Sequence, residues 1–224
     1  MIKLCVFDMD GLLLDTERTL YLNCGLKASE KLGHPLSEEF LRTLMGAAWD
    51  LYAVRIVKKM GEDFPIDEYL KEIWKMIDEI MEKGELPLRP GAKEILEYCK
   101  QKGIKMAIAT STPGEKAHIC LRKTGLRDYF DYVITGDMVE KGKPEPEIFL
   151  KAIEHFNIDK KQALVLEDGH NGAQAAIKGS CRLIVVEDLA KLEQEDRDYS
   201  EILPESLFEV IDYIEKENET ATGI

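Results

Sequence analysis

The chain has 224 residues, of which 45% are hydrophobic and 33% charged, with a formal net charge of −13; that is room for one large domain or a domain with an insert, in an ordinary soluble composition. No basic stretch could neutralise a phosphate backbone, so no nucleic-acid partner is expected, and no apolar run approaches the roughly 20 residues that a membrane span needs. No basic region with a cleavage site opens the chain, and its five cysteines (Cys5, Cys24, Cys99, Cys120, Cys181) are scattered without a CxxC pair; the expectation is a cytoplasmic protein with core cysteines, no disulfide framework and no zinc.

The first element, "IKLCVFD" (Ile2–Asp8), reads as a buried strand. It runs into two carboxylates, Asp8 and Asp10, one residue apart and followed by Gly11. Residues i and i+2 of a strand share a face, so the two charges converge and raise one another's pKa unless something positive lies between them. This spacing alone fits a polar strand end with a capping aspartate equally well.

Between Asp8 and Ile104 lies far more chain than one crossover requires. Two helical signals follow residue 17, and a third, "IDEYLKEIWKMIDEIMEKG", has Ile73, Met76, Ile77 and Ile80 at helical spacing. Residues 15–87 are therefore expected to form an inserted helical domain, entered after the Asp10–Gly11 turn and left near "LPLRPG"; residues 1–14 and 88–224 form the α/β core. From there nearly apolar runs, "IKMAIAT" (Ile104–Thr110), "DYVIT" (Asp131–Thr135), "ALVLE" (Ala163–Glu167) and "RLIVV" (Arg182–Val186), alternate with helical patterns. That rhythm predicts a Rossmann-like open parallel sheet with helices on both faces. The tail "EKENETATGI" reads as frayed and solvated.

Ligands of such sheets bind beyond the carboxyl ends of the strands. The sequence puts Asp8 and Asp10 there, then Thr110-Ser111-Thr112, Lys143-Pro144 before a helix, and Glu167-Asp168-Gly169. Each has an ordinary reading on its own: a hydroxyl cluster caps helices, a lysine before proline is usually solvated, and Glu167-Asp168 could cap the next helix. Together they place carboxylates, a hydroxyl and a lysine on one sheet edge. Clustered carboxylates suit a hard, oxygen-seeking cation such as Mg²⁺, which also explains how Asp8 and Asp10 can stand together. A carboxylate can attack phosphorus to give an aspartyl phosphate, with Lys143 and a hydroxyl neutralising the transferring oxygens.

The motifs "DMDGLLLDT", "ATS", "KGKPEPEIF" and "LEDGHNGAQAA", in this order, resemble those of the haloacid dehalogenase-like phosphohydrolases, in the branch with a helical cap after the first strand. The resemblance implies Asp8 as nucleophile and Asp10 as the acid/base. It implies Thr110 and Lys143 as phosphoryl ligands. Asp8, the Asp10 carbonyl and Asp168 would hold Mg²⁺, with Glu167 as a ligand or its support. Gly169 departs from the serine common in close relatives. The expected activity is an Mg²⁺-dependent phosphatase acting on a small phosphorylated metabolite, a sugar or polyol phosphate, as a monomer.

A β-phosphoglucomutase is the alternative within this resemblance. Its cap histidine, cap arginine and post-motif lysine correspond here to Leu20, Trp49 and Pro113, and an apolar tryptophan cannot clamp a second phosphate. Ser111, Glu17, Gly46 and Trp49, with Lys75, are the candidates for substrate contact; Trp49 fits cap packing equally well. A non-catalytic phosphate-ester-binding protein is a further reading, with little reason to keep Asp8, Asp10 and Lys143 together. His170 is expected to be a loop residue, and His34 and His118 to be solvated.

Overall fold

The computed structural model describes residues 1–44, 49–189 and 192–222, apart from the side chains of residues 49, 50 and 222. The chain divides into two compact units, Met1–Leu14 with the chain from Leu88 onward, and Asp15–Pro87.

The first unit begins with β1 (Leu4–Phe7), all four residues buried. Beyond the turn that follows it, Leu14 bridges to Leu88 and the Arg89 N–H donates to the Leu13 carbonyl at 2.9 Å, so the departing and returning chains run side by side.

The second unit is helical. A π-helical turn (Glu17–Asn23) leads into α1 (Cys24–Lys31), followed by α2 (Glu38–Arg42), α3 (Trp49–Met60) and α4 (Ile66–Lys83). Ser37 caps α2 by accepting the Phe40 N–H. Tyr69, Ile73 and Ile77 form the buried stripe of α4, which stops at Gly84 in the left-handed conformation. Tyr52 and Tyr69, both fully buried, satisfy each other through hydroxyls 3.0 Å apart.

Back in the first unit come α5 (Ala92–Lys102), β2 (Lys105–Ala109), α6 (Gly114–Lys123), β3 (Tyr132–Ile134), α7 (Glu147–His155), β4 (Ala163–Glu167), α8 (His170–Lys178), β5 (Arg182–Val185), α9 (Gln194–Tyr199) and α10 (Leu207–Thr222). The five strands form one parallel sheet in the order β3-β2-β1-β4-β5. Leu4, Val6, Ala107, Ala109 and Val165 face a core filled by Ile148, Phe149 and Ala152 of α7 and Ala173 and Ala176 of α8. The alternate residues, Cys5 and Phe7 among them, face the other side, where α5 buries Ile95, Leu96 and Cys99 and α10 packs on α5. This is the open α/β sheet covered on both faces that the alternation predicts. All five cysteines are buried and free, and no described helix is long and apolar enough to cross a membrane.

Two elements differ from the sequence reading. As far as Thr222 the tail is helical rather than frayed: α10 runs to that residue, and within it Asn218 ties back to the segment before β1, accepting the Ile2 N–H at 2.5 Å and donating to the Ile2 carbonyl at 3.3 Å. Its buried Leu207, Val210 and Ile214 lie upstream of the polar tail, which continues the helix they anchor. The short α9 was also unexpected; its QEDRDY sequence has no apolar period, and a capping box between Glu193 and Asp196 starts it.

Candidate active site

Register builds the site. Phe7 pairs with Ile108 on one side and Leu166 on the other, so Asp8, one residue on, leaves the sheet between the ends of β2 and β4. Its own N–H still joins the ladder, donating to the Leu166 carbonyl at 2.9 Å. Asp8 is 6% exposed and Glu167, the last residue of β4, 2%.

Lys143 lies between them. Its Nζ donates to Asp8 Oδ1 and to Glu167 Oε1, each at 2.5 Å, and to the Ala109 carbonyl at 2.9 Å. The side chain is 6% exposed and its ammonium lies 5.0 Å from the centre of the Phe149 ring. A solvated surface lysine is thereby excluded. Burial disfavours its charge, but Asp8 and Glu167 outweigh burial and hold the ammonium above its ordinary pKa. Burial likewise pushes the Asp8 carboxyl up, with Lys143 opposing and Asp10 adding to the rise. It lifts Glu167 to about 7 against the pull of Lys143.

One oxygen each of Asp8, Glu167 and Asp168 lies within 4.8 Å of the others. Two glycines make room for this: a Cβ on Gly172 would collide with the Glu167 carboxylate, and one on Gly11, whose φ is +89°, with that of Asp168. Glu167 Oε2 also accepts the N–H groups of Asp168 at 3.1 Å and Gly169 at 3.4 Å. Three carboxylates against one ammonium leave an anionic excess, and an all-oxygen donor set of this size fits a hard divalent cation.

The Asp10 backbone N–H helps to hold the Asp8 carboxylate. Thr112 Oγ1 donates to Asp10 Oδ2 at 2.7 Å, and Thr110 Oγ1 reaches the same oxygen at 3.3 Å. Thr110 is 1% exposed at the end of β2, whereas Ser111, between them, is exposed. The structure thus gathers Asp8, Asp10, Thr110, Lys143, Glu167 and Asp168 at one sheet edge. Glu17 and Lys75 belong to the helical unit, where Glu17 is buried and Lys75 exposed. Gly46 falls outside the described residues, and so does the side chain of Trp49, which opens α3.

Two features went unread in the sequence. Thr112 contacts Asp10, and the two-residue alternation that pairs Asp8 with Asp10 also pairs Thr110 with Thr112. His170 is the first residue of α8 rather than part of a loop, and its Nδ1 lies 2.7 Å from Oδ2 of the fully buried Asp196. That partner is 26 residues away, and no local pattern announces it.

The family profile described as haloacid dehalogenase-like hydrolase matches residues 2–179. A phosphorylated carbohydrates phosphatase of Thermotoga maritima is 37% identical over 175 residues, 76% of this chain and 78% of the relative. A (DL)-glycerol-3-phosphatase of Arabidopsis thaliana is 30% identical over 218 residues, 93% of this chain and 70% of the relative. Among solved structures, a Thermotoga maritima protein described provisionally as a β-phosphoglucomutase superposes with a TM-score of 0.80 at 30% identity, covering 96% of this chain and 99% of its own. With strand ends, sheet order and family match in agreement, this chain belongs to the haloacid dehalogenase-like hydrolases and is an enzyme of the phosphoric monoester hydrolase class.

Proposed function

We propose that the protein is an Mg²⁺-dependent phosphatase that hydrolyses a small sugar or polyol phosphate through an aspartyl-phosphate intermediate on Asp8. The observation that carries this reading is the buried Asp8–Lys143–Glu167 bridge at the strand ends. It presents an anionic nucleophile beside a fixed cation and a carboxylate cluster.

In the first half-reaction an Asp8 carboxylate oxygen attacks phosphorus and the bond to the leaving oxygen breaks, with Asp10 delivering a proton to that oxygen. In the second, Asp10 takes the proton back from a water that attacks the phosphoryl group. Inorganic phosphate leaves and Asp8 is restored. Lys143 and Thr110 hold the phosphoryl oxygens, and Lys143 also favours the charged form of Asp8, countering the desolvation that would neutralise it. Asp8, Asp168, the Asp10 carbonyl and Glu167 would hold Mg²⁺, which supplies positive charge to the phosphoryl oxygens when bound.

The helical unit, residues 15–87, would serve as the cap, with Glu17, Gly46, Trp49 and, from the core, Ser111 as substrate contacts. The names of the Thermotoga and Arabidopsis relatives support a phosphorylated carbohydrate or polyol as the substrate class. The solved β-phosphoglucomutase-like relative keeps a mutase as the second reading. Leu20, Trp49 and Pro113 weigh against it, because mutase action needs cationic groups to grip a second phosphate while water is kept out.

The test supplies β-glucose 1-phosphate with a trace of its bisphosphate, and in parallel a panel of sugar and polyol monophosphates, following both phosphate release and glucose 6-phosphate. Hydrolysis without isomerisation is expected. Isomerisation outrunning hydrolysis would establish the mutase, and no phosphate release from any monoester of the panel would overturn the proposed substrate class.

A further inference from the structure

We infer that Thr112 is a positioning residue for proton transfer, its hydroxyl fixing the plane of the Asp10 carboxylate. The inference rests on the reading of Asp10 as the acid/base and adds to it the group that aims it.

Thr112 Oγ1 donates to Asp10 Oδ2 at 2.7 Å, the shorter of two hydroxyl contacts to that oxygen; the other, from Thr110, spans 3.3 Å. The Thr112 backbone N–H in turn donates to Thr110 Oγ1 at 3.0 Å. A hydroxyl has one proton to give. Once the Thr110 proton turns to a phosphoryl oxygen, its long contact to Asp10 is lost while the short Thr112 bond to Oδ2 remains. The two threonines thus divide the work: Thr110 serves the phosphoryl group and Thr112 serves Asp10.

A bond to Oδ2 also survives both halves of the proton cycle. Ionised, Asp10 accepts through Oδ2; protonated on Oδ1, it still accepts through Oδ2, which is then a carbonyl oxygen. Fixing Oδ2 therefore sets the direction of Oδ1, through which the proton moves. Positioning of this kind is what proton transfer in a transition state requires.

Thr112 is not occupied as a helix cap. α6 starts after Pro113 without a side-chain cap, and the exposed Gly114 N–H donates to Asp137 Oδ1 at 2.9 Å. The same Asp137 oxygen accepts from Thr135 Oγ1 at 2.6 Å. Gly136 packs so closely on the Ser111 carbonyl that a Cβ there would collide with it. The loop carrying Thr112 is pinned from the end of β3, so its hydroxyl is presented on a fixed backbone.

The experiment compares wild type, Thr112→Val, Thr112→Ser and Asp10→Asn on two monoesters, an alkyl phosphate (glycerol 3-phosphate) and p-nitrophenyl phosphate. Single-turnover cleavage is measured together with KM and thermal unfolding. The aryl leaving group departs without a proton, whereas the alkyl one needs it. Thr112→Val is expected to slow cleavage of the alkyl ester by about 10- to 100-fold, part of the 10²–10⁴-fold share of a positioned acid. It should leave KM and the aryl ester nearly unchanged, and Thr112→Ser should restore the rate. Equal loss on both esters, a rise in KM alone, or no loss would overturn the proposal; should the valine variant not fold, the serine and an alanine variant carry the same comparison. Asp10→Asn separates the two levels of inference: if it keeps full activity on the alkyl ester, or if wild type cleaves neither ester, the acid/base reading itself falls, whatever Thr112 does.

Discussion

Gly11 leaves empty the space that the Asp168 carboxylate fills: a Cβ built on Gly11 would overlap Asp168 Oδ2, and the backbone there has a φ of +89°. A glycine at the first turn and a carboxylate at the end of β4, 157 positions later, are thus one fitted pair.

Gly11→Ala should therefore damage the cation site as well as the turn. Left-handed backbone costs a residue with a Cβ about 1–2 kcal/mol, which should lower the melting temperature by several degrees. The displaced Asp168 should raise the Mg²⁺ concentration for half-maximal activity at least about tenfold, since such ions are held by few protein oxygens. Mg²⁺-dependent thermal stabilisation, measured without substrate, checks this independently of turnover. An unchanged Mg²⁺ requirement would count against Asp168 as a ligand.

Asp8→Asn should abolish turnover and leave the fold intact. The amide is nearly the same size, Lys143 keeps its bond to Glu167, and an amide is a poor nucleophile in place of the proposed one. Phosphoryl transfer from a radiolabelled monoester to the protein should disappear together with phosphate release. Substantial residual activity in purified protein would move the nucleophile elsewhere.

The strand ends were legible because a strand buried on both faces leaves little choice about where its polar residues fall. Asp8, Thr110 and Glu167 each terminate an apolar run, and parallel pairing puts those ends side by side. Lys143 was legible only through the company it keeps in a motif; by itself a lysine before proline reads as solvent-facing, and its burial depends on a loop trajectory that composition does not encode. Ser111 and Thr112 show the limit at one residue's resolution. Both are hydroxyls in the same loop, yet backbone direction exposes one and turns the other onto Asp10. The polar end of α10 was misread because the contact that secures it, Asn218 to Ile2, spans 216 positions.

Lys143→Met should lose both activity and stability. Removing one partner of a buried ion pair typically costs roughly 3–5 kcal/mol, because the other charge stays buried without it; here Asp8 and Glu167 would be left facing each other. Chemical denaturation should show the loss, and Lys143→Met with Glu167→Gln should recover part of it by removing one of the two opposed charges. A single variant as stable as wild type would mean that the bridge contributes nothing to the fold.

A second ionic cluster gives a pH prediction away from the chemistry. Arg182, at the start of β5, forms a two-pronged pair with Glu201, Nε to Oε1 at 2.8 Å and Nη2 to Oε2 at 2.9 Å. Tyr213 also donates to Glu201. Burial pushes the Glu201 carboxyl up, but the hydrogen bonds from Arg182 and Tyr213 outweigh it and hold the group below its ordinary value. A carboxyl lowered in the folded state stabilises the protein fully above its unfolded pKa of about 4.3, and that contribution is lost as pH falls through the lower folded value. Arg182→Leu should therefore cost roughly 1.5–3 kcal/mol at pH 7, the usual range for hydrogen bonds to a charged group. The melting temperatures of variant and wild type should converge as pH falls below about 4, where protonation of Glu201 dissolves in wild type the pair that the variant already lacks. Because β5 begins at the end of the sheet opposite Asp8, kcat at pH 7 and 25 °C should stay within about twofold of wild type, as distant, independent sites require. Melting curves recorded from pH 7 down to pH 3 decide the matter: a difference between the two proteins that does not shrink on acidification would assign the Arg182 contribution to packing of its side chain rather than to its charge.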